Sequence, residues 1–474
     1  MLGTMSDATS TTELDEANQA NQANGADVSG FAGHPRGLGP LFFTELWERF
    51  SYYGMRSILV LYMVAPVAGG GLAFDTKHAA SIYGTYTMSV YLTALPGGLI
   101  ADHLLGARLA VLLGGIVIAC GHFTMIFHGL NTFYLGMVLI AVGTGLLKPN
   151  ISAMVGGLYR DNDPRRDSGF SIFYMSINVG ALLAPLSVGY LAQGESFKRF
   201  MTRMGFDPMT SWHWGFGLAG VGMTVGLIVY LLYAKRLAHV GQRVKKFSHA
   251  TRETAAAKLT AADWKRIAAI FVFFLFTILF WAAYEQKGAS LNLFAKDLVR
   301  TQVFGMRFPS SFMQSLTPMF VILLAPLFSI LWVRLGERQP SSPVKFTIGL
   351  LFIGLAYLLL IPASMMTAQG RISPLWLVGL YFLEVVGEMC LSPVGLSTVT
   401  KLAPAKLVGI MMGVWFLAAS FGSKLAGYLS GFFVANNSGT LVKLYGGIAV
   451  GLLLSAAMLA LLTPGVKRLM GRVN

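Results

Sequence analysis

The amino-acid sequence predicts an all-α polytopic membrane protein, with twelve transmembrane helices in two six-helix bundles. Three observations carry that prediction. Of 474 residues, 55% are hydrophobic and only 12% charged, whereas about a quarter of a soluble globular chain is charged. Twelve apolar stretches are each long enough to cross about 30 Å of hydrocarbon as helix. A long basic connection near the middle leaves six stretches on either side. Composition excludes a fibrous chain, a disordered chain and an ordinary water-soluble enzyme. Cys120 and Cys390 lie inside apolar runs, so they read as neither a disulfide framework nor a zinc site.

Residues 1–38 form a polar tail without an apolar segment near the start. It is not a cleavable signal peptide, and its composition predicts cytoplasmic disorder. The first six spans fall near 39–65, 79–101, 109–128, 132–157, 168–192 and 212–233, an N-terminal bundle over 39–233. The linker 234–263 carries Lys235, Arg236, Arg243, Lys245, Lys246, Arg252 and Lys258. Spans seven to twelve fall near 264–295, 309–333, 346–364, 373–400, 405–434 and 444–463, a C-terminal bundle over 264–464. Residues 465–474 are a second tail. With Lys265, Arg266 and Lys406, at the very ends of spans seven and eleven, counted with the adjoining connections, the tails and even-numbered connections hold 22 of the 36 Lys and Arg, against nine in the odd-numbered connections and five inside spans. The positive-inside rule then puts both termini in the cytoplasm of a multi-pass plasma-membrane protein. The net charge of +15 is therefore topology, and no nucleic-acid partner is expected.

Ionisable groups inside hydrocarbon cost about 2.5 kcal/mol or more each on insertion scales, so a chain that keeps them usually uses them. Ten lie within the spans away from those end residues: Glu45, Glu48, Arg49, Arg56, Lys148, Glu285, Lys287, Glu384, Glu388 and Lys424. The first span concentrates them. Glu45, Glu48, Arg49, Tyr52, Tyr53 and Arg56 share one helical face about 140° wide at 100° per residue. Such a stripe must meet an aqueous cavity or partner helices. Two carboxylates beside a guanidinium can exchange a proton, since burial and the Arg pull carboxyl affinity in opposite directions.

These residues also carry a resemblance. Gly98-x-x-x-Asp102-x-x-x-Gly106-x-Arg108 resembles the loop signature of the major facilitator superfamily, and its counterpart around Arg334, Gly336 and Arg338 is degenerate. Glu45-Leu46-Trp47-Glu48-Arg49-Phe50-Ser51-Tyr52-Tyr53-Gly54 resembles the E-x-x-E-R-F-x-Y-Y-G motif of the proton-dependent oligopeptide transporters. Phe173 to Gly180 resembles that family's F-Y-x-x-I-N-x-G signature. Gly143 to Asn150, Phe280-Trp281 with Glu285-Gln286, and Gly387 to Pro393 are similar to further familial segments.

The resemblance implies a major facilitator fold and a bacterial inner-membrane symporter that imports di- and tripeptides with protons. It implies no cofactor beyond the coupling proton, and a functional monomer in the lipid bilayer. Laid onto matching positions, it gives Arg49 and Lys148 the peptide carboxylate, with Tyr53 as hydroxyl donor. Glu388 and Asn178 would hold the ammonium. Trp281 and Trp415 would wall side-chain pockets, and Tyr86 would line the site. Arg56 with Glu285, and Lys148 with Glu388, would form the extracellular and cytoplasmic gates. Glu45, Glu48 and Glu285 would carry protons beside Arg49. Independently, a peptide is a zwitterion with constant ends and a variable middle. A promiscuous site should grip the ends by charge and leave the middle an adaptable apolar pocket.

Departures and rival readings stand beside these assignments. Thr317 occupies a place where relatives often carry Asn, and a hydroxyl reaches fewer partners than an amide. Gly84 stands where animal relatives have a proton-handling histidine, so coupling through carboxylates is expected. Lys287 and Lys424 read as snorkelling to an interface, and Glu384 as structural. The Trp residues also suit bundle packing, and Asn178 a hydrogen bond between helices. Transport of another small anion, such as nitrate or a carboxylate, leaves Glu388 without a purpose. A non-transporting peptide receptor leaves the proton triad without one. No metal-spacing cluster, phosphate loop or nucleophile elbow points to an enzyme.

Overall fold

The computed structural model describes residues 27–160, 163–238, 240–241, 259–303, 305–404 and 407–471. Residues 1–26 of the expected tail, 242–258 of the expected linker and 472–474 lie outside the described residues. Ten of the helices described are long and apolar enough to cross a membrane. The remaining two predicted spans are helical as well, each for a local reason falling short of that measure. The first, Leu38–Val64, carries Glu45, Glu48, Arg49 and Arg56. The second is divided at Thr93 into Thr76–Leu92 and Ala94–Ile100, with a π turn over Ala101–Leu105. Where it divides, the Thr93 hydroxyl donates to the Ala141 carbonyl at 2.8 Å.

The other first-half spans are Ala107–Thr124, Leu130–Gly157, Arg166–Gln193 and Ser211–Leu232. Those of the second half are Ala261–Tyr284, Leu316–Leu335, Ser342–Leu358, Leu375–Leu402, Val408–Ser430 and Ser438–Met470, the ninth continuing as Leu360–Met366. The first span packs on the fifth and sixth, and the third on the fourth; the ninth packs on the tenth and twelfth. The halves meet where the second span packs on the eleventh and the fifth on the eighth.

The seventh span departs from the expected 264–295. Its α-helix ends at Tyr284, a 3-10 turn runs over Glu285–Gly288, and a second helix covers Ser290–Leu298. Four residues poorly suited to lipid, Glu285, Gln286, Lys287 and Gly288, are all buried in protein at this break. Non-helical backbone at membrane depth is tolerated where protein surrounds it. Gly288 is required there, because a β-carbon would come within 1.9 Å of the Tyr83 hydroxyl.

Two small elements at the end opposite the termini have no counterpart in the sequence reading. One is a surface helix, Glu195–Arg203, and the other a hairpin pairing Gln302–Val303 with Met306–Arg307. At the terminus-bearing end, Gly106 turns the signature loop at φ +78°, and the Arg108 N–H donates to Gly241 O at 3.0 Å.

Candidate functional site

A cavity of about 430 Å³ lies between the halves, within the size range of small-molecule sites. From the first half come Tyr53, Arg56, Tyr91, Lys148, Tyr174 and Asn178. Trp281, Tyr284, Glu285, Lys287, Thr317 and Glu388 face them, with Trp415, Gln314 and Ser392 beside them. Three larger cavities, about 750, 640 and 470 Å³, lie wholly in the second half. None of the candidate site residues lines them, so the central cavity is the candidate despite its size.

Helical phase explains who reaches it. Tyr174 and Asn178 are one turn apart on the fifth span, as are Trp281 and Tyr284 on the seventh. Tyr174 offers its backbone carbonyl to the Asn178 amide at 3.1 Å. Lys148 precedes Pro149, inside the fourth span, and its ammonium sits 5.0 Å from the Tyr91 ring centre, a cation–π arrangement. Glu388 accepts a hydrogen bond from the Tyr284 hydroxyl. The Thr317 hydroxyl is buried without a hydrogen-bond partner.

One end of the cavity is closed. Arg56 and Glu285 form a buried ion pair across the halves, and Arg56 Nε donates to Tyr83 Oη at 2.7 Å. Beside it, the Asn292 and Gln314 amides both donate to the Ser57 carbonyl, at 2.8 and 3.2 Å. Gln193 donates to Ser310 Oγ at 3.3 Å. All of these lie toward the face opposite the termini. Toward the terminus-bearing face, Lys148 and Glu388, expected as a gate pair, make no ion pair with each other.

The first-span trio sits behind the cavity wall. Arg49 is 1% exposed and grips Glu48 with two hydrogen bonds, Nη2 to Oε1 at 2.5 Å and Nε to Oε2. Glu45 Oε1 is 3.4 Å from Arg49 Nε, and Glu45 Oε2 is buried with no partner. Arg49 is thus not part of the lining. Neither is Tyr86, whose hydroxyl is buried and unpartnered. Trp415 reaches the cavity from a core position, 7% exposed and packed against Gly395 and Phe346.

The sequence reading missed Tyr91, Tyr174, Tyr284 and Gln314. Tyr174 and Tyr284 were legible in principle, one helical turn from residues already chosen. Lys287 does not snorkel to an interface as expected. It is 6% exposed with its ammonium 3.0 Å from the Tyr284 ring centre, because the break in the seventh span turns it inward. Glu384 is fully buried, and neither carboxylate oxygen has a hydrogen-bond partner. Among the described residues, no group of three or more His, Cys, Asp or Glu could hold a metal ion.

Gly84 has a structural explanation. A β-carbon there would come within 2.8 Å of the Gly427 α-carbon. The second and eleventh spans touch backbone to backbone at this point, which leaves no room for a histidine.

The sequence profile of the POT family matches residues 108–252 and 241–445. The peptide transporter YePEPT of Yersinia enterocolitica is 38% identical, over 94% of this chain and 97% of its own. The di-/tripeptide transporter of Lactococcus lactis is 35% identical, over 90% and 95%. A crystal structure of a POT peptide transporter variant in complex with alafosfalin superposes with a TM-score of 0.85 at 37% identity, covering 96% of this chain and 99% of that one. A POT family transporter bound to 5-aminolevulinic acid gives a TM-score of 0.83 at 32% identity, over 93% and 99%.

Proposed function

The chain belongs to the POT family, and from that premise we propose that it is a proton-coupled symporter importing di- and tripeptides by alternating access. The observation that carries this reading is a base and an acid on opposite walls of one cavity, Lys148 and Glu388, not paired with each other. A zwitterionic peptide supplies the missing partner to both. Its carboxylate meets Lys148 with Tyr53 nearby, its ammonium meets Glu388 and Asn178, and its side chains lie against Trp281, Trp415 and Thr317. Both relatives described above by name are peptide transporters.

Bridging by substrate draws two bodies, 39–233 and 264–464, together on the terminus-bearing side, which the charge asymmetry assigns to the cytoplasm of a bacterial inner membrane. Closing there and parting Arg56 from Glu285 opens the other side. A buried charge that loses its partner costs about 3–5 kcal/mol, so the exchange of partners is enough to gate access. Arg49 acts one layer behind the peptide. While Glu48 holds it in two hydrogen bonds it offers little to a carboxylate, and protonating Glu48 releases it toward the cavity. Glu45, with one oxygen unpartnered, takes a proton without breaking the Arg49–Glu48 pair, and Glu285 takes one when it leaves Arg56. The unit is a monomer needing no cofactor beyond the proton.

The test is uptake of labelled dialanine into proteoliposomes, with and without an inward proton gradient. Accumulation above the equilibrium level with the gradient, lost in Glu388→Gln, is the expected result. Accumulation that ignores the gradient defeats proton coupling. Full gradient-driven accumulation in Glu48→Gln removes that acid as obligatory carrier.

A further inference from the structure

A cavity of about 750 Å³ lies at the terminus-bearing end of the second half, between the eighth and tenth spans and the ends of the ninth and twelfth. The tenth span separates it from the central site, turning Glu388 and Ser392 to one side and Met389, Ser397 and Lys401 to the other. Three lysines from three spans, Lys345, Lys401 and Lys467, face this cavity, against one carboxylate, Glu337. None of the four is in an ion pair among the described residues.

Lys345 is the unusual member. It is 8% exposed, its ammonium donates to Gln339 Oε1 at 2.7 Å, and it sits 4.2 Å from the Trp332 ring centre. A buried ammonium with only neutral partners is an incomplete charge site. Ser341, at the start of the ninth span, adds a buried hydroxyl that lines the cavity and has no hydrogen-bond partner. An anion with several acceptor oxygens completes both groups. Beside the cavity the eighth span is largely bare, with Leu327, Ile330 and Val333 at 50% exposure or more.

We propose that this cavity seats the phosphate of an anionic phospholipid, with an acyl chain along the exposed flank of the eighth span. The phosphate sits between Lys345, Ser341, Lys401 and Lys467, and Trp332 lies beside it. Basic pockets between spans at a cytoplasmic face suit anionic headgroups. The site takes no part in the peptide chemistry and stands whether or not the transport reading does.

The experiment counts lipids retained by the full-length protein in detergent by native mass spectrometry, after titration with phosphatidylglycerol or phosphatidylcholine. One phosphatidylglycerol held in preference to phosphatidylcholine is expected. Lys401 and Lys467 are exposed, so Lys401→Gln/Lys467→Gln should keep the fold and weaken that binding by about 30-fold. Lys345→Gln should weaken it further, and Lys345→Arg should restore it. Equal retention of the two lipids, or unchanged retention in the double variant, overturns the proposal. Displacement of phosphatidylglycerol by millimolar inorganic phosphate would make a soluble phosphate the ligand and overturn the lipid assignment.

Discussion

The two halves manage their buried charges differently. In the first half, Glu45, Glu48 and Arg49 lie on one helix within a single turn, and Arg49 is satisfied by its own neighbours. In the second half, Lys287, Glu384 and Glu388 sit on two spans and form no ion pair with one another; Tyr284 alone serves both Lys287 and Glu388. Charges spaced three and four apart on a helix pair locally whatever the bundle does. Charges on separate spans pair only when the spans are suitably placed, so they remain responsive to a ligand or a conformational change. The first half thus holds a self-paired cluster and the second holds charges left open; in the transport cycle proposed above, the former is the proton switch and the latter the grip on the peptide.

The largest expected effect sharpens that contrast at the cavity. Lys148→Gln should reduce gradient-driven dialanine uptake on the order of 100-fold, the loss of one charge-assisted contact in a desolvated site. Uptake within a few-fold of wild type would remove Lys148 from the carboxylate site.

Next comes the one ion pair described between the halves. Arg56→Gln or Glu285→Gln alone should lower stability by about 3 kcal/mol, because each leaves a buried charge without its partner. Combining them should recover much of that loss, so the double-mutant cycle in thermal unfolding should give a coupling well outside additivity. Strict additivity would mean that the pair contributes nothing to closure.

Smaller still is the contact of the second and eleventh spans. Gly84→Ala should cost about 1–3 kcal/mol by overpacking against Gly427, and Gly84→His should cost more. Unchanged unfolding in both would show that the backbones do not meet there. The smallest effect belongs to the Tyr284 hydroxyl. Tyr284→Phe removes one hydrogen bond to Glu388, worth about 1 kcal/mol, and should shift the apparent peptide affinity severalfold while uptake survives.

Much of the site was legible before folding. Lys148, Glu285 and Glu388 stood out because an ionisable residue in an apolar run is conspicuous, and the first-span stripe was visible as a period of 3.6. The pairing of Arg56 with Glu285 came from family resemblance alone, since nothing in the spacing joins residues 229 positions apart. Lys287 reads as a snorkelling residue on an unbroken helix, and only the break after Tyr284 turns it inward. Tyr91 and Gln314 gave no sequence signal, being ordinary polar residues whose importance lies in what they face.

The sequence by itself determined which segments form apolar helices and that Glu45, Glu48 and Arg49 share one face of the first of them. These follow from hydrophobicity and helical period, which act over a few turns of one chain segment. Only the tertiary structure decided that Arg49 lies behind the cavity, that Gly84 is a helix contact, and that Lys148 and Glu388 stand apart. Each of those depends on how separate helices are placed against one another, and no periodicity within one helix encodes that distance.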